Sequence, residues 1–237
     1  MRLIGTSASK RPQQQRWPAL LLAIALACLL ASGCTDAELS SAGTDSDAKV
    51  FRYSLDDTPN SLDPVRASTV YQSRLIVNLF DTLYEYKFLK RPYELKPALA
   101  SALPLVSDDG LTYTINLRTG QRFADDPAFP DGKGREIVAA DFVYSLKRQF
   151  DPANKPAGAW LWQDRIVGLD EWKAAGSDYA APVDGLRALD THVLQITLKR
   201  PYPQLVYTLA MASAAVVPQE AVERYGREFS INPVGSG

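Results

Sequence analysis

Apolar and polar positions alternate or recur along most of the chain, and their period changes from segment to segment. Between residues 69 and 83, Tyr71, Leu75, Leu79 and Leu83 recur four residues apart, with Ile76 and Phe80 beside them. That spacing predicts a helix with one broad buried face, and Ser68 is its expected N-cap. Phe142, Leu146 and Phe150 repeat the same interval and predict a second helix over 139–150. Residues 204–211 and 219–225 also read as helical. Elsewhere the period is two. Leu111, Tyr113, Ile115 and Leu117 alternate with Thr112, Thr114, Asn116 and Arg118 after the turn residues Asp108, Asp109 and Gly110, predicting a half-buried strand paired with residues 104–106. Leu194, Ile196 and Leu198 alternate with Gln195, Thr197 and Lys199, and a turn at 190–192 pairs them with residues 186–189. Residues 50–55 read as a first strand, ending in a loop at Asp56, Asp57, Thr58, Pro59 and Asn60. Strands mixed with helices and hairpins, with no internal repeat, predict a mixed α/β (α+β) domain.

The first 50 residues follow a different logic. Arg2, Lys10, Arg11 and Arg16 precede an apolar run over 19–31 that has the length and place of a signal peptide's hydrophobic region. It closes on Leu30, Ala31, Ser32, Gly33 and Cys34, which resembles a bacterial lipobox, with Ala31 where Leu is commoner. Cys34 is therefore the expected lipidation site. Residues 1–33 are read as a lipoprotein signal peptide, 34–49, rich in Ser, Asp, Ala and Thr, as a flexible tether, and 50–237 as the folded region. Cys28 lies inside the apolar run, so no disulfide framework is expected in the mature domain. The whole chain carries a formal net charge of −1, and its leading residues hold basic but no acidic side chains, so the remainder is more acidic than the whole. Without a basic footprint, nucleic acid is not an expected partner.

Catalytic constellations are scarce. His192 is the single histidine and falls in the turn between two strand-like segments, without a partner for nucleophilic or metal chemistry. Asp125, Asp126 and Asp131 with Glu136 mimic part of a calcium loop, but Pro127, Phe129 and Pro130 occupy places that need oxygen ligands and a turn glycine. The sequence Gly132, Lys133, Gly134 lacks the rest of a phosphate loop. Paired carboxylates such as Asp108 and Asp109 stand in turns, where Asp binds its own backbone. No metal, cofactor or catalytic residue is expected. Trp160 and Trp162, near Pro156 and Gly158, suit either a core or a ligand groove.

A series of blocks runs along the chain: Ser61-Leu62-Asp63-Pro64; Leu79-Phe80-Asp81-Thr82-Leu83-Tyr84; Pro97-Ala98-Leu99-Ala100; Ser107-Asp108-Asp109-Gly110-Leu111-Thr112-Tyr113-Thr114 with Leu117-Arg118; and Ala139-Ala140-Asp141-Phe142-Val143-Tyr144-Ser145. Ala188-Leu189-Asp190-Thr191-His192 and the segment from Val217-Pro218 to Phe229 continue the series. Together and in this order they resemble the family 5 solute-binding proteins, the dipeptide- and oligopeptide-binding components of ABC importers. Val138 replaces the family's helix-capping Thr, and residues 127–133 form a longer insertion than the family's usual loop. The chain ends at Asn232-Pro233-Val234-Gly235-Ser236-Gly237, where family members read on through a similar block.

The resemblance implies a two-lobe, periplasmic-binding-protein-like clamp, of which part of the first lobe and its inserted subdomain is present. It implies capture of peptides for import, with an ABC permease and its ATPase as partners, as a monomer at the bacterial cell envelope. It places Ala67, Ser68, Thr69 and Val70 where members offer backbone to the ligand, and Gly158 and Trp160 in a loop that carries a ligand-facing aromatic. Gly158 stands where the family has Tyr. Helix capping by Ser68 and Thr69 and core packing of Trp160 are the competing structural readings. Competing functions are the same fold holding nickel, haem or a sugar, and a lipid-tethered envelope hydrolase.

Overall fold

A computed structural model describes residues 57–236 together with Arg52, Ser54 and Leu55. The signal peptide, Cys34, the tether and most of the first expected strand lie outside the described residues. Helix α1 spans Val70–Leu79 and α2 Ala139–Arg148; the shorter α3, α4 and α5 span Leu169–Ala174, Leu205–Thr208 and Gln219–Tyr225. Strands β1 (Tyr84–Tyr86) and β2 (Leu95–Pro97) form a two-stranded antiparallel sheet. Strands β3 (Leu105–Val106), β4 (Thr112–Asn116), β5 (Leu186–Asp190) and β6 (Val193–Thr197) form a four-stranded one in the order β3-β4-β6-β5. Among the described residues no helix is long and apolar enough to cross a membrane.

The two expected hairpins are present, and the sheet arises because they dock side by side. Tyr113 lies opposite Ile196 and Ile115 opposite Leu194, joining β4 to β6 in antiparallel register across an intervening stretch that contains α2 and α3. Tyr113, Ile115, Leu194 and Ile196 all point to the buried face, as a period of two requires. Helix α2 packs on β5 and β6, and its Phe142 and Leu146, together with Phe150 beyond its end, enter the core. Each such side chain contributes about 1.5–3 kcal/mol on full burial. The turn before β4 works as its residues suggest. Asp109 accepts from the Ser107 hydroxyl at 2.6 Å and from the Leu111 N–H at 3.0 Å, and Gly110 takes a φ of +70°.

Helix α1 corrects the sequence reading in two respects. Thr69, not Ser68, is the N-cap: its hydroxyl accepts from the Gln72 N–H at 3.2 Å, and Gln72 Oε1 accepts from the Thr69 N–H at 3.1 Å, a capping box. The innermost face runs through Gln72, Ile76 and Phe80, whereas Tyr71, Leu75 and Leu79 are only half-buried, and Leu83 is buried beyond the helix end. Gln72 takes an inner position because its amide is satisfied there, donating to Asn60 Oδ1 at 2.7 Å and to the Ser61 carbonyl at 3.2 Å. At α2, Val138 offers no capping oxygen, but Asp141 accepts from the Val138 N–H at 2.8 Å and holds Arg135 through both carboxylate oxygens. Arg135 in turn reaches Glu220 of α5 at 2.6 and 2.9 Å.

Two further links close the domain. Gly235 passes so near the end of α1 that a Cβ there would lie 1.7 Å from the Leu79 carbonyl oxygen, so only glycine fits. Asp63 and Arg148, 85 positions apart, form a bidentate pair at 3.0 and 2.8 Å, both almost fully buried. Burial works against the Arg148 charge, but the bonds to Asp63 outweigh it and hold the guanidinium above its ordinary range. Asp63 also accepts from the Val65 N–H, starting the 3-10 turn Pro64–Arg66. Breaking one partner leaves a buried charge, so Asp63→Ala should cost about 3–5 kcal/mol in urea unfolding, while replacing both residues by apolar ones should cost less than either single change.

Candidate functional site

The segment that carries Ala67, Ser68, Thr69 and Val70 connects the turn Pro64–Arg66 to α1, so Asp63 at one end and the Gln72 capping box at the other hold it. Ser68, Thr69 and Val70 are exposed and Ala67 is partly so. Several of their donors are already engaged. The Ala67 N–H bonds to the Pro64 carbonyl at 3.2 Å, and the Ser68 N–H and hydroxyl both donate to Gln72 Oε1 at 3.1 Å. The Thr69 carbonyl accepts from the Ser73 N–H and hydroxyl at 3.0 Å. The carbonyls of Ala67 and Ser68 receive no hydrogen bond from another described residue, and the Val70 N–H, at the start of α1, donates to none.

Gly158 and Trp160 lie in a loop that folds against the same segment. The Ala157 N–H donates to the Val65 carbonyl at 3.0 Å, tying the two stretches together. The turn Ala212–Ala214 packs against both the turn Pro64–Arg66 and α1, and its Ser213 also borders Gly158. The structure thus brings the two groups of sequence-selected residues into one neighbourhood. Beside these two stretches is a cleft of about 370 Å³ walled by Asn60, Ser61, Arg66, Ser68, Lys155 and Ala157, which Gly158 and Trp160 do not line. Arg66 and Lys155 were not singled out in the sequence, where lone surface cations carry no pattern; only the fold sets them around one space.

The two tryptophans separate cleanly. Trp162 is 1% exposed and belongs to the core, whereas Trp160 in the 3-10 turn Ala159–Leu161 is 66% exposed. Core packing is therefore the right reading for Trp162 and the wrong one for Trp160. Gly158 is buried, with Ser213 Cβ, Gln149 Oε1 and Leu161 Cδ1 each 3.4–3.5 Å from where its Cβ would stand. An alanine fits that space; a tyrosine side chain would have to leave it toward solvent. Gln149 Oε1 and Ser213 Oγ, both buried, lack a hydrogen-bond partner among the described residues.

The residues considered for catalysis are engaged structurally. His192 Nε2 lies 3.0 Å from Glu136 Oε1, and that same oxygen accepts from the Gly120 N–H at 2.5 Å. The Gly120 bond, then His192, holds the Glu136 carboxyl below its usual range. Asp125 binds Lys133 and the Gly134 N–H, and Asp126 accepts from the Tyr225 hydroxyl, so the acidic loop is stapled to its surroundings. Among the described residues no group of three or more His, Cys, Asp or Glu is placed to hold a metal ion.

The family model described as bacterial extracellular solute-binding proteins, family 5 Middle, matches residues 94–237. The chain belongs to this family. The glutathione-binding protein GsiB of Escherichia coli is 28% identical over 217 residues, which cover 92% of this chain and 35% of that protein. The periplasmic oligopeptide-binding protein OppA of Escherichia coli is 30% identical over 174 residues, covering 72% of this chain and 29% of OppA. The chain thus spans about a third of the length of the curated relatives it matches. Among solved structures, the Escherichia coli murein tripeptide-binding protein MppA superposes with a TM-score of 0.64 at 28% identity, covering 77% of this chain and 33% of that one. The mixed α/β architecture is that of the family. Truncating Trp160 to Ala should shift the unfolding free energy by no more than about 0.5 kcal/mol. Trp162→Ala should cost about 3–5 kcal/mol in the same chemical denaturation measurement.

Proposed function

We propose that this chain is the ligand-capturing component of an ABC importer for peptides, tethered to the cell envelope by a lipid on Cys34. The observation that carries the reading is the meeting of an exposed backbone segment, Ala67 to Val70, with the loop that holds the exposed Trp160, beside a cleft that Ser68 and Ala157 help to wall, in a chain of family 5. A peptide in extended form needs main-chain partners for its own N–H groups, and the free carbonyls of Ala67 and Ser68 supply acceptors. Trp160 adds a flat apolar surface that tolerates many side chains. Capture between two lobes, followed by docking on a permease and its ATPase, is the mechanism this reading takes from the family; the lobe that would close over the cleft is not among the described residues.

Binding without turnover is part of the proposal. His192 is held by Glu136, in a turn of the four-stranded sheet, and serves no nucleophile there. Cys34 is proposed as the anchor on the strength of the Leu30 to Cys34 block and the apolar run before it.

Titration calorimetry on the full-length, lipid-free protein tests this with a pool of tripeptides, glutathione and free amino acids. Saturable binding of peptides, with the peptide recovered intact, is expected, and Trp160→Ala should weaken it about 5- to 30-fold, in keeping with loss of an aromatic contact. Cleavage of the peptides would transfer the protein to the hydrolase class, and binding of none of them would remove the peptide reading.

A further inference from the structure

Arg66 and Lys155 face the same cleft of about 370 Å³. Both residues are exposed, and neither charged group makes an ion pair or hydrogen bond with another described residue. The carboxylates nearest to them in sequence are already committed. Asp63 is held by both nitrogens of Arg148 and by the Val65 N–H. Asp151 accepts from the Ala153 N–H at 2.9 Å and from the Tyr179 hydroxyl at 3.0 Å. Among the described residues no Asp or Glu lines the cleft.

The remaining wall favours an anion as well. Asn60 spends its carbonyl oxygen on the Gln72 amide, which leaves its own N–H₂ as a donor. The hydroxyl of Ser61 accepts from the Asp63 N–H at 3.2 Å. The two cations also stand on fixed backbone. Arg66 ends the 3-10 turn capped by Asp63, and Lys155 is the left-handed residue, φ +52°, that closes the turn Pro152–Asn154 with its N–H on the Pro152 carbonyl. The bond from Ala157 to Val65 holds the two stretches together. Arg66 borders a second, smaller cleft of about 260 Å³ with Arg148, Arg227 and Asp63, but there a carboxylate already shares the space.

We propose that the cleft between Arg66 and Lys155 seats a carboxylate of the bound ligand, so that the protein favours acidic peptides over neutral ones of the same shape. The proposal rests on the peptide-binding reading and adds a charge preference to it. Two cations on fixed backbone, with no competing carboxylate among the described residues of the cleft, attract an anion at long range and hold it at short range, and closure of a site around them removes the water that screens them.

The test compares peptides that differ by one charge, using calorimetry on the full-length protein. Ala-Glu-Ala is set against Ala-Gln-Ala, and trialanine against its C-terminal amide, so that a side-chain and a terminal carboxylate are told apart. At least one acidic member should bind about 5–10-fold tighter than its neutral counterpart, and the difference should shrink at an ionic strength of about 0.5 M. In the double variant R66Q/K155Q the difference should fall below about twofold, and R66K/K155R should retain it. Discrimination that survives in R66Q/K155Q, or is absent from the unmodified protein while neutral peptides bind, overturns the charge assignment alone. Failure of every peptide to bind overturns the peptide reading and this one with it.

Discussion

The buried pair of Asp63 and Arg148 is the contact on which the arrangement of this domain depends. It joins the turn Pro64–Arg66 to the end of the helix that packs on the sheet, and each partner has a second task. Asp63 starts the turn that leads to the exposed segment before α1. Arg148 stands at the end of α2, with its guanidinium 5.7 Å from the ring centre of Phe229 near the far end of the chain. Two charges removed from water are tolerable because both nitrogens of the guanidinium fork meet both carboxylate oxygens, a geometry that a lysine could not reproduce. A pair of this sort contributes more to the choice of one arrangement than to net stability, since apolar residues could fill the same volume.

The sheet follows a related logic at larger scale. Each hairpin is local, with a turn that its own residues specify, yet neither buries its apolar face alone. Docking β4 against β6 places Tyr113 and Ile115 beside Ile196 and Leu194, and α2 then covers β5 and β6 with Phe142 and Leu146. Lys147 shows what such packing imposes on polar residues of the same helix. Burial pushes its ammonium below its ordinary range, and it answers with hydrogen bonds to the carbonyls of Tyr179 and Ala181 in place of a carboxylate.

The candidate site occupies the part of the domain where these constraints leave groups unspent. Around Ser68, Lys155 and Trp160 the backbone is fixed by caps and turns, while two carbonyls, two cations and an indole remain available. The groups present accept, attract or stack. Elsewhere the polar side chains considered for chemistry, His192, Glu136, Asp125 and Asp126 among them, serve as ties between loops.

Local pattern was sufficient for the elements whose residues carry their own instructions. The period-two runs at 111–117 and 194–198, the turn residues Asp109 and Gly110, and the four-residue spacing of Phe142, Leu146 and Phe150 lead directly to β4, β6 and α2. The ordered blocks from Leu62-Asp63-Pro64 onward identify the family for the same reason: they are contiguous in the chain. Short elements such as β1, β2 and α3 escaped, since the residues in and around them show no sustained apolar repeat. The Thr69 cap was legible locally, in a Thr and a Gln three residues apart, whereas tertiary structure alone decided that Gln72 faces inward, that Trp162 is core while Trp160 is exposed, and that Arg66 and Lys155 border one cleft. In each case the outcome depends on a partner distant in sequence or on a turn's direction, and spacing along the chain does not encode which polar atom will find a mate once water is removed.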